Sequence, residues 1–294
     1  MSKGKIKISN CLIPIILILI SLTMIVPFLN IIAKSLSSSN RVSELRGLDI
    51  LPKGFSFINY KVILSYDILW RSLMNSIFIT ITGTLISVLL TTLTAYVLTR
   101  EGLAFKKIIM TFLIIFMIFE PGDVQEYMVM KHLNLLNNLF AMVLYRSLNV
   151  YYLIIMMRFL QEIPESLIDS GKIDGAGHFT IFSKIVLPLS KIPILTIGMF
   201  YIVSKWNEFF KSSIFLSSKN NTVLQVMLRQ LIVEGDTGSV IGFGNMMANN
   251  EMARLDFSSI KAATIVVTIV PILMVYPFIL RYYVSGMLEG SIKE

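Results

Sequence analysis

LMNSIFITITGTLISVLLTTLTAYVLT, residues 73–99, runs without a single charged side chain and closes on Arg100. A helix rises about 1.5 Å per residue, so about 20 apolar residues cross about 30 Å of hydrocarbon, and this stretch is long enough to do so. Working outward, residues 11–33 form a second uncharged run behind Lys3, Lys5 and Lys7. Residues 262–280 form a third, interrupted only by Pro271 and Pro277, which a membrane helix tolerates where its neighbours satisfy the freed carbonyls. The composition agrees: of 294 residues, 55% are hydrophobic and 15% charged, and the mean hydropathy is +0.74. So few charges cannot cover a soluble surface of this size, which excludes a soluble enzyme. The net charge of +8 is dispersed between apolar runs, as in loops facing anionic lipid, not clustered as in a nucleic-acid surface. Cys11 is the one cysteine, and His132 and His178 lie far apart with no CxxC or HxxxH nearby, so neither an internal disulfide nor a metal centre is expected.

Three further spans carry ionisable residues. Residues 108–128 include Glu120, Pro121, Gly122, Asp123 and Glu126; residues 139–157 include Arg146; residues 192–215 include Lys205, Glu208 and Lys211. Polar residues inside spans face a bundle interior or a cavity. The expectation is an all-α membrane protein of six transmembrane helices with both termini on one side. The run at 11–33 is too long for the apolar core of a signal peptide and no small-residue cleavage site follows it, so it reads as a retained helix. As many basic residues fall in the shorter segments on the amino-terminal side as in the longer ones opposite, a bias toward cytoplasmic termini.

Two outer segments are long, residues 34–72 and 216–260, the latter carrying Gly238, Gly242 and Gly244. Segments of such length commonly meet a partner. On the inner side, residues 158–191 lie between the fourth and fifth spans. Pro164 opens a short helix there that stops at glycines; a second runs from about His178 to Val186 and ends before Leu187-Pro188, because a proline disfavours helical backbone at the residue before it. Physics alone reads this pair as an interfacial anchor for the bundle.

The same segment resembles the signature of type-1 permease subunits of ABC importers: a Glu-Ala-Ala triplet, a glycine six residues after the Glu, nine further residues, then Ile-x-Leu-Pro. Asp169, Ser170 and Gly171 occupy the triplet, Gly175 the glycine, and Ile185, Leu187 and Pro188 the end. Asp replaces Glu, and Ser-Gly replaces Ala-Ala. The flanking Lys172-Ile-Asp174-Gly-Ala176 and Pro188-Leu-Ser190 are similar to the carbohydrate-uptake branch, such as the second permease of maltose and oligosaccharide importers. Trp206-Asn207-Glu208-Phe209, Leu135-Leu136-Asn137 and the Gly-rich tail from Val284 to Lys293 also resemble that branch.

The resemblance implies a permease subunit forming half of a translocation pathway for a carbohydrate, an oligosaccharide in that branch. The segment at Asp169 to Gly175 would be a coupling helix docked on a separate ATPase subunit, with Gly175 allowing close approach and Asp169 contacting or capping at the interface. Implied partners are a second permease, an ATPase dimer and an extracellular solute-binding protein, which the loop at Gly238 to Gly244 would meet unless it is a plain surface loop. The chain has no GxxxxGK[ST] loop and binds no cofactor in this reading; ATP and Mg belong to the ATPase. Residues 1–70 would hold the amino terminus, first helix and outer loop, 71–282 the permease domain and 283–294 a cytoplasmic tail, in a bacterial cell membrane.

The charged residues within the spans admit two readings. Glu120 pairs internally with Arg146 or Lys205, neutralising charges that are expensive in lipid. Alternatively Glu120, Asp123, Arg146, Tyr201, Lys205, Trp206, Asn207 and Glu208 line a cavity, with Trp206 or Tyr201 stacking on a sugar face, while Asp123 and Glu126 are solvated at its mouth. An ion-coupled secondary transporter is the rival function, since intramembrane acids also mark ion relays.

Overall fold

The computed structural model describes residues 8–234 and 256–291, with side chains over 12–234, 256–274, 276 and 277. Among the described residues every regular element is a helix, apart from a lone antiparallel bridge between Ser37 and Phe55. The chain begins with α1 (Ile8–Ser35), α2 (Ile58–Leu64) and α3 (Asp67–Thr99). Next come α4 (Lys106–Ile118), α5 (Asp123–His132), α6 (Leu139–Leu144) and α7 (Val150–Gln161). Then α8 (Glu165–Ile173), α9 (His178–Ile181), a wide π turn at Phe182–Val186 and α10 (Leu187–Leu189) lead into α11 (Lys191–Asn207). The order closes with α12 (Phe210–Phe215), α13 (Leu224–Arg229) and α14 (Phe257–Ser291).

The three uncharged runs become α1, α3 and α14, each long and apolar enough to cross a membrane unaided. The other expected spans are not straight helices. The stretch at 108–128 is α4 and α5, bent by 119° at their junction. The stretch at 139–157 is α6 and α7, of 6 and 12 residues. The stretch at 192–215 stops at Asn207 and restarts as α12. Counting each bent pair as one span gives up to five crossings among the described residues, against the six expected. The breaks coincide with the ionisable residues. Glu120 precedes Pro121-Gly122, Arg146 follows α6, and Glu208 follows α11. Non-helical backbone at membrane depth is stable only where it is buried in protein or lines a cavity, and two of the break residues, Arg146 and Glu208, line a cleft.

One helix end also departs from expectation. The helix from His178 does not stop at Val186; Leu187 keeps helical angles (φ −58°, ψ −46°) and the chain turns only after Leu189, where α11 leaves at 80°. Pro188 lacks an amide hydrogen and its ring crowds the carbonyl four residues back. The π turn of Phe182–Val186 changes the hydrogen-bond register just ahead of it, which lets the helix carry the proline.

The chain divides into two compact units. The first comprises Met1–Trp70 and Met227–Ile272. In it, the apolar side chains of α1 from Leu12 to Ile25 are exposed, as in a helix whose solvent is lipid. The segment after α1 is tied down by two buried asparagines: Asn30 donates to the carbonyls of Arg46 and Asp49, and Asn59 to those of Ser35 and Ser37. Arg41 and Glu44 pair beside them, the hydrogen bond holding the Glu44 carboxyl below its ordinary range.

The second unit, Arg71–Val226 with Leu273–Glu294, holds the candidate site. α7 buries Leu153, Met156, Met157 and Leu160, the i, i+3, i+4, i+7 stripe of one helical face, against Ala95 and Leu98 of α3 and Ile197 of α11. A second cluster joins Ala141, Met142 and Val143 of α6 to Ile79 and Phe215. In lipid such faces gain little from leaving their solvent, so close packing and satisfied hydrogen bonds hold them together.

Candidate functional site

A cleft of about 60 Å³ lies within the second unit, lined by Ile79, Met142, Tyr145, Arg146, Asn149, Tyr152, Tyr201, Ser204, Lys205 and Glu208. It is built where α6 ends. The carbonyls of Ala141 and Leu144 accept from the amides of Tyr145 and Ser147. Those of Met142 and Val143 face the Lys205 ammonium at 2.9 and 3.1 Å, and that of Tyr145 is a third partner. One lysine from α11 thus supplies the donors that the end of α6 lacks. Gly83 of α3 leaves it room, since a Cβ there would stand 3.2 Å from Lys205 Cε.

Arg146 follows, with φ at 48°. The left-handed region costs a non-glycine residue about 1–2 kcal/mol, and such strain gathers at functional sites. Its guanidinium lies 3.0 Å from the Glu120 carboxylate and over the Tyr145 ring. Of the two pairings left open for Glu120, the structure has Arg146, not Lys205. Asp123, 57% exposed, and Glu126, 15% exposed, both meet Lys211 of α12, the first at 2.6 Å. Glu208 accepts from the Lys211 amide, capping α12 as it lines the cleft.

The aromatic roles differ from the sequence reading. Tyr201 is buried, its hydroxyl 2.8 Å from Thr91 Oγ1 and accepting from the Asn149 amide at 3.0 Å. Trp206 is buried too and is not part of the cleft lining, whereas Tyr201 is. Asn207 is exposed and donates to the Val203 carbonyl. Tyr152, part-buried and edge-on to Tyr201, is the aromatic wall that sequence reasoning missed, together with Tyr145, Asn149 and Ser204. Asn149 had a signal: it precedes an apolar run and caps α7 by accepting from the amides of Tyr151 and Tyr152.

The inner segment has its own geometry. α8 buries Ile168 and Gly171 against the cluster of Ile181, Phe182 and Val186, while Leu167, Ile173 and Phe179 are exposed. The helix ends in a Schellman motif: Ala176 N–H bonds the Gly171 carbonyl at 2.9 Å and Gly175 N–H that of Lys172 at 3.0 Å, with Gly175 at φ +77°. Among the described residues, its two chain neighbours aside, nothing lies within 4 Å of a Cβ placed on Gly175, so here the backbone angle is what favours glycine. Asp169 pairs with Lys172 at 2.9 Å, which raises the lysine above its ordinary range. At Gly171, where the permease signature has alanine, a Cβ would meet Ile185 Cδ1 at 3.0 Å, so a side chain there requires that methyl to shift. Gly171→Leu is expected to lower the Tm by several degrees, about 1–3 kcal/mol of overpacking. A melt in detergent matching wild type would show that Ile185 yields freely. The candidates Gly238, Gly242 and Gly244 lie outside the described residues.

Residues 107–289 match the family described as binding-protein-dependent transport system inner membrane component. The chain belongs to this family. Among the relatives, the polygalacturonan/rhamnogalacturonan transport system permease protein YtcP of Bacillus subtilis is 37% identical, over 94% of this chain and 95% of its own length. Protein LplC of the same organism is 36% identical, over 92% and 89%. A crystal structure of a bacterial ABC transporter involved in the import of the acidic polysaccharide alginate contains a chain that matches with TM-score 0.88 at 26% identity, covering 96% of this chain and 99% of that one. This chain is therefore a membrane permease of the ABC importer fold, and the resemblance drawn from its motifs holds over nearly its whole length.

Proposed function

We propose that this chain is the permease subunit of an ATP-driven, binding-protein-dependent importer and forms half of the pathway for a carbohydrate, an oligosaccharide. The similarity to YtcP carries this reading: it is 37% identical and runs over 94% of this chain and 95% of the relative, whose name is that of a polygalacturonan/rhamnogalacturonan transport system permease. The cleft supports it. Ligand pockets of drug-sized molecules run to about 300–1,000 Å³, and a cleft of about 60 Å³ fits one wall of a pathway completed by a second permease. Six spans with cytoplasmic termini, in a bacterial cell membrane, belong to the same reading, with residues 71–282 as the permease domain.

The chain has no phosphate-binding loop, so hydrolysis belongs to an ATPase dimer that holds ATP and Mg. α8 and α9 act as the coupling helices. Their exposed Leu167, Ile173 and Phe179 form an apolar surface for a groove on the ATPase, and Gly175 sets the turn between the two helices. An extracellular solute-binding protein delivers the sugar to the opposite face, where the loop at Gly238 to Gly244 receives it. The ion-coupled rival is weakened because two of the acids that would relay ions, Asp123 and Glu126, are both engaged by the buried Lys211.

Affinity purification in mild detergent tests this. A P-loop ATPase and a second permease are expected to copurify, and the preparation to hydrolyse ATP faster when the binding protein and its sugar are added. Recovery of this chain alone from several detergents would overturn the importer reading.

A further inference from the structure

We propose that Arg146 reads a carboxylate on the transported sugar, and that Glu120 holds its place until the substrate arrives. The proposal rests on the carbohydrate reading above and adds a charge to the substrate class.

Three cations stand in or beside the cleft, and they are committed to different degrees. Lys205 is buried and bound by three carbonyls. Lys211 is buried and held by two carboxylates. The Arg146 side chain is 49% exposed, and its ion pair with Glu120 closes at 3.0 Å in the open, the Glu120 side chain being 65% exposed. A guanidinium presents five N–H groups in a rigid fork that matches a carboxylate in two parallel bonds, and a half-exposed one can turn that fork to a second carboxylate. The backbone adds a second observation: Arg146 sits at φ 48°, and that unfavourable angle, together with the Tyr145 ring beneath it, places the guanidinium on the cleft wall.

Glu120 is built to yield. Its side chain is 65% exposed, and it lies in the break before Pro121-Gly122 where α4 and α5 bend by 119°. An ion pair this open to water is weakly held, so a substrate carboxylate exchanges with that of Glu120 at little cost. Around Arg146, Asn149, Ser204, Tyr152 and Glu208 offer the amide, hydroxyl, ring and carboxylate that sugar hydroxyls and faces require. The ligand class is an oligosaccharide bearing carboxylates, a uronate chain.

The test uses the purified transporter with its partners in proteoliposomes. The probes are oligomers cut from polygalacturonate and alginate, beside the same oligomers with their carboxylates reduced to alcohols. Wild type is expected to favour the acids. Arg146→Gln should lower the acid-to-neutral uptake ratio about tenfold or more, the size of one lost charge-assisted bond pair. Arg146→Lys should recover part of that ratio, and Glu120→Gln should lower the KM for the acids several-fold with little change in maximal rate. Equal uptake of acid and neutral oligomers by wild type, or an Arg146→Gln defect equal for both, would overturn the carboxylate role while leaving the carbohydrate reading in place. Uptake of neither set, by a preparation whose ATPase is active, would overturn both. If Arg146→Gln does not assemble, the Glu120→Gln shift in KM decides.

Discussion

Replacing Lys205 by methionine is expected to lower the Tm of the solubilised chain by about 10 °C and to abolish uptake. Methionine fills a similar volume but donates nothing. The carbonyls of Met142, Val143 and Tyr145, which Lys205 now satisfies, would remain in a buried site. Each unsatisfied group costs about 1–3 kcal/mol, so the total is on the order of several kcal/mol. The cost also falls on the cleft, because those carbonyls immediately precede Arg146 and fix the direction in which α6 releases it. A scanning thermal melt in detergent beside a proteoliposome uptake assay reads both effects. A Tm within about 2 °C of wild type would mean that water replaces the ammonium and that Lys205 is not what ends α6. Gly83→Val approaches the same lysine from α3 and is expected to give a smaller loss of the same kind.

The second large effect is expected at Gly175. Valine cannot adopt φ +77° without strain of about 1–2 kcal/mol or more, and the Schellman motif joining α8 to α9 would reform differently. Under the coupling reading, Gly175→Val should reduce uptake at least about tenfold while the assembled complex still hydrolyses ATP. Gly175→Asn is the informative companion, because asparagine tolerates left-handed backbone. Retained transport in the Asn variant would assign the requirement to the turn. Equal loss in both would assign it to close approach by the ATPase, as the permease signature implied. Unchanged uptake with valine would remove Gly175 from coupling.

The helices at 165–189 were readable because their information is local. Proline at a helix start, glycines at its end and a fixed spacing to Leu187-Pro188 are features of neighbouring residues. Even so, the π turn at Phe182–Val186 that carries the helix past Pro188 leaves no signature in hydropathy, and it moved the helix end from Val186 to Leu189. Gly171 is similar. The permease signature marks it as a departure from alanine, and only the tertiary structure shows that a Cβ there would meet Ile185 Cδ1 at 3.0 Å.

The cleft was less legible. Arg146, Lys205 and Glu208 were found because a charge in an apolar stretch is conspicuous in any hydropathy reading, and all three line it. Trp206 and Tyr201 were chosen for ring chemistry; both are buried and only Tyr201 lines the cleft, because the face that an aromatic residue on α11 presents depends on what packs beside the helix. Tyr152 escaped notice because a tyrosine in an apolar run carries no signal of which way it faces.

What the sequence by itself determined is the solvent and the long helices. Transfer into lipid is a sum over residues, so 55% hydrophobic and 15% charged composition and three uncharged runs suffice to place α1, α3 and α14 in a membrane. What only the tertiary structure decided is where the weaker spans break and which charges meet across the breaks. Glu120 takes Arg146, Lys211 takes Asp123 and Glu126, and Lys205 takes the carbonyls of α6. Each partner lies on another element. In a low-dielectric interior the winning pairing is set by distance and geometry between helix ends, and linear spacing along the chain does not contain them.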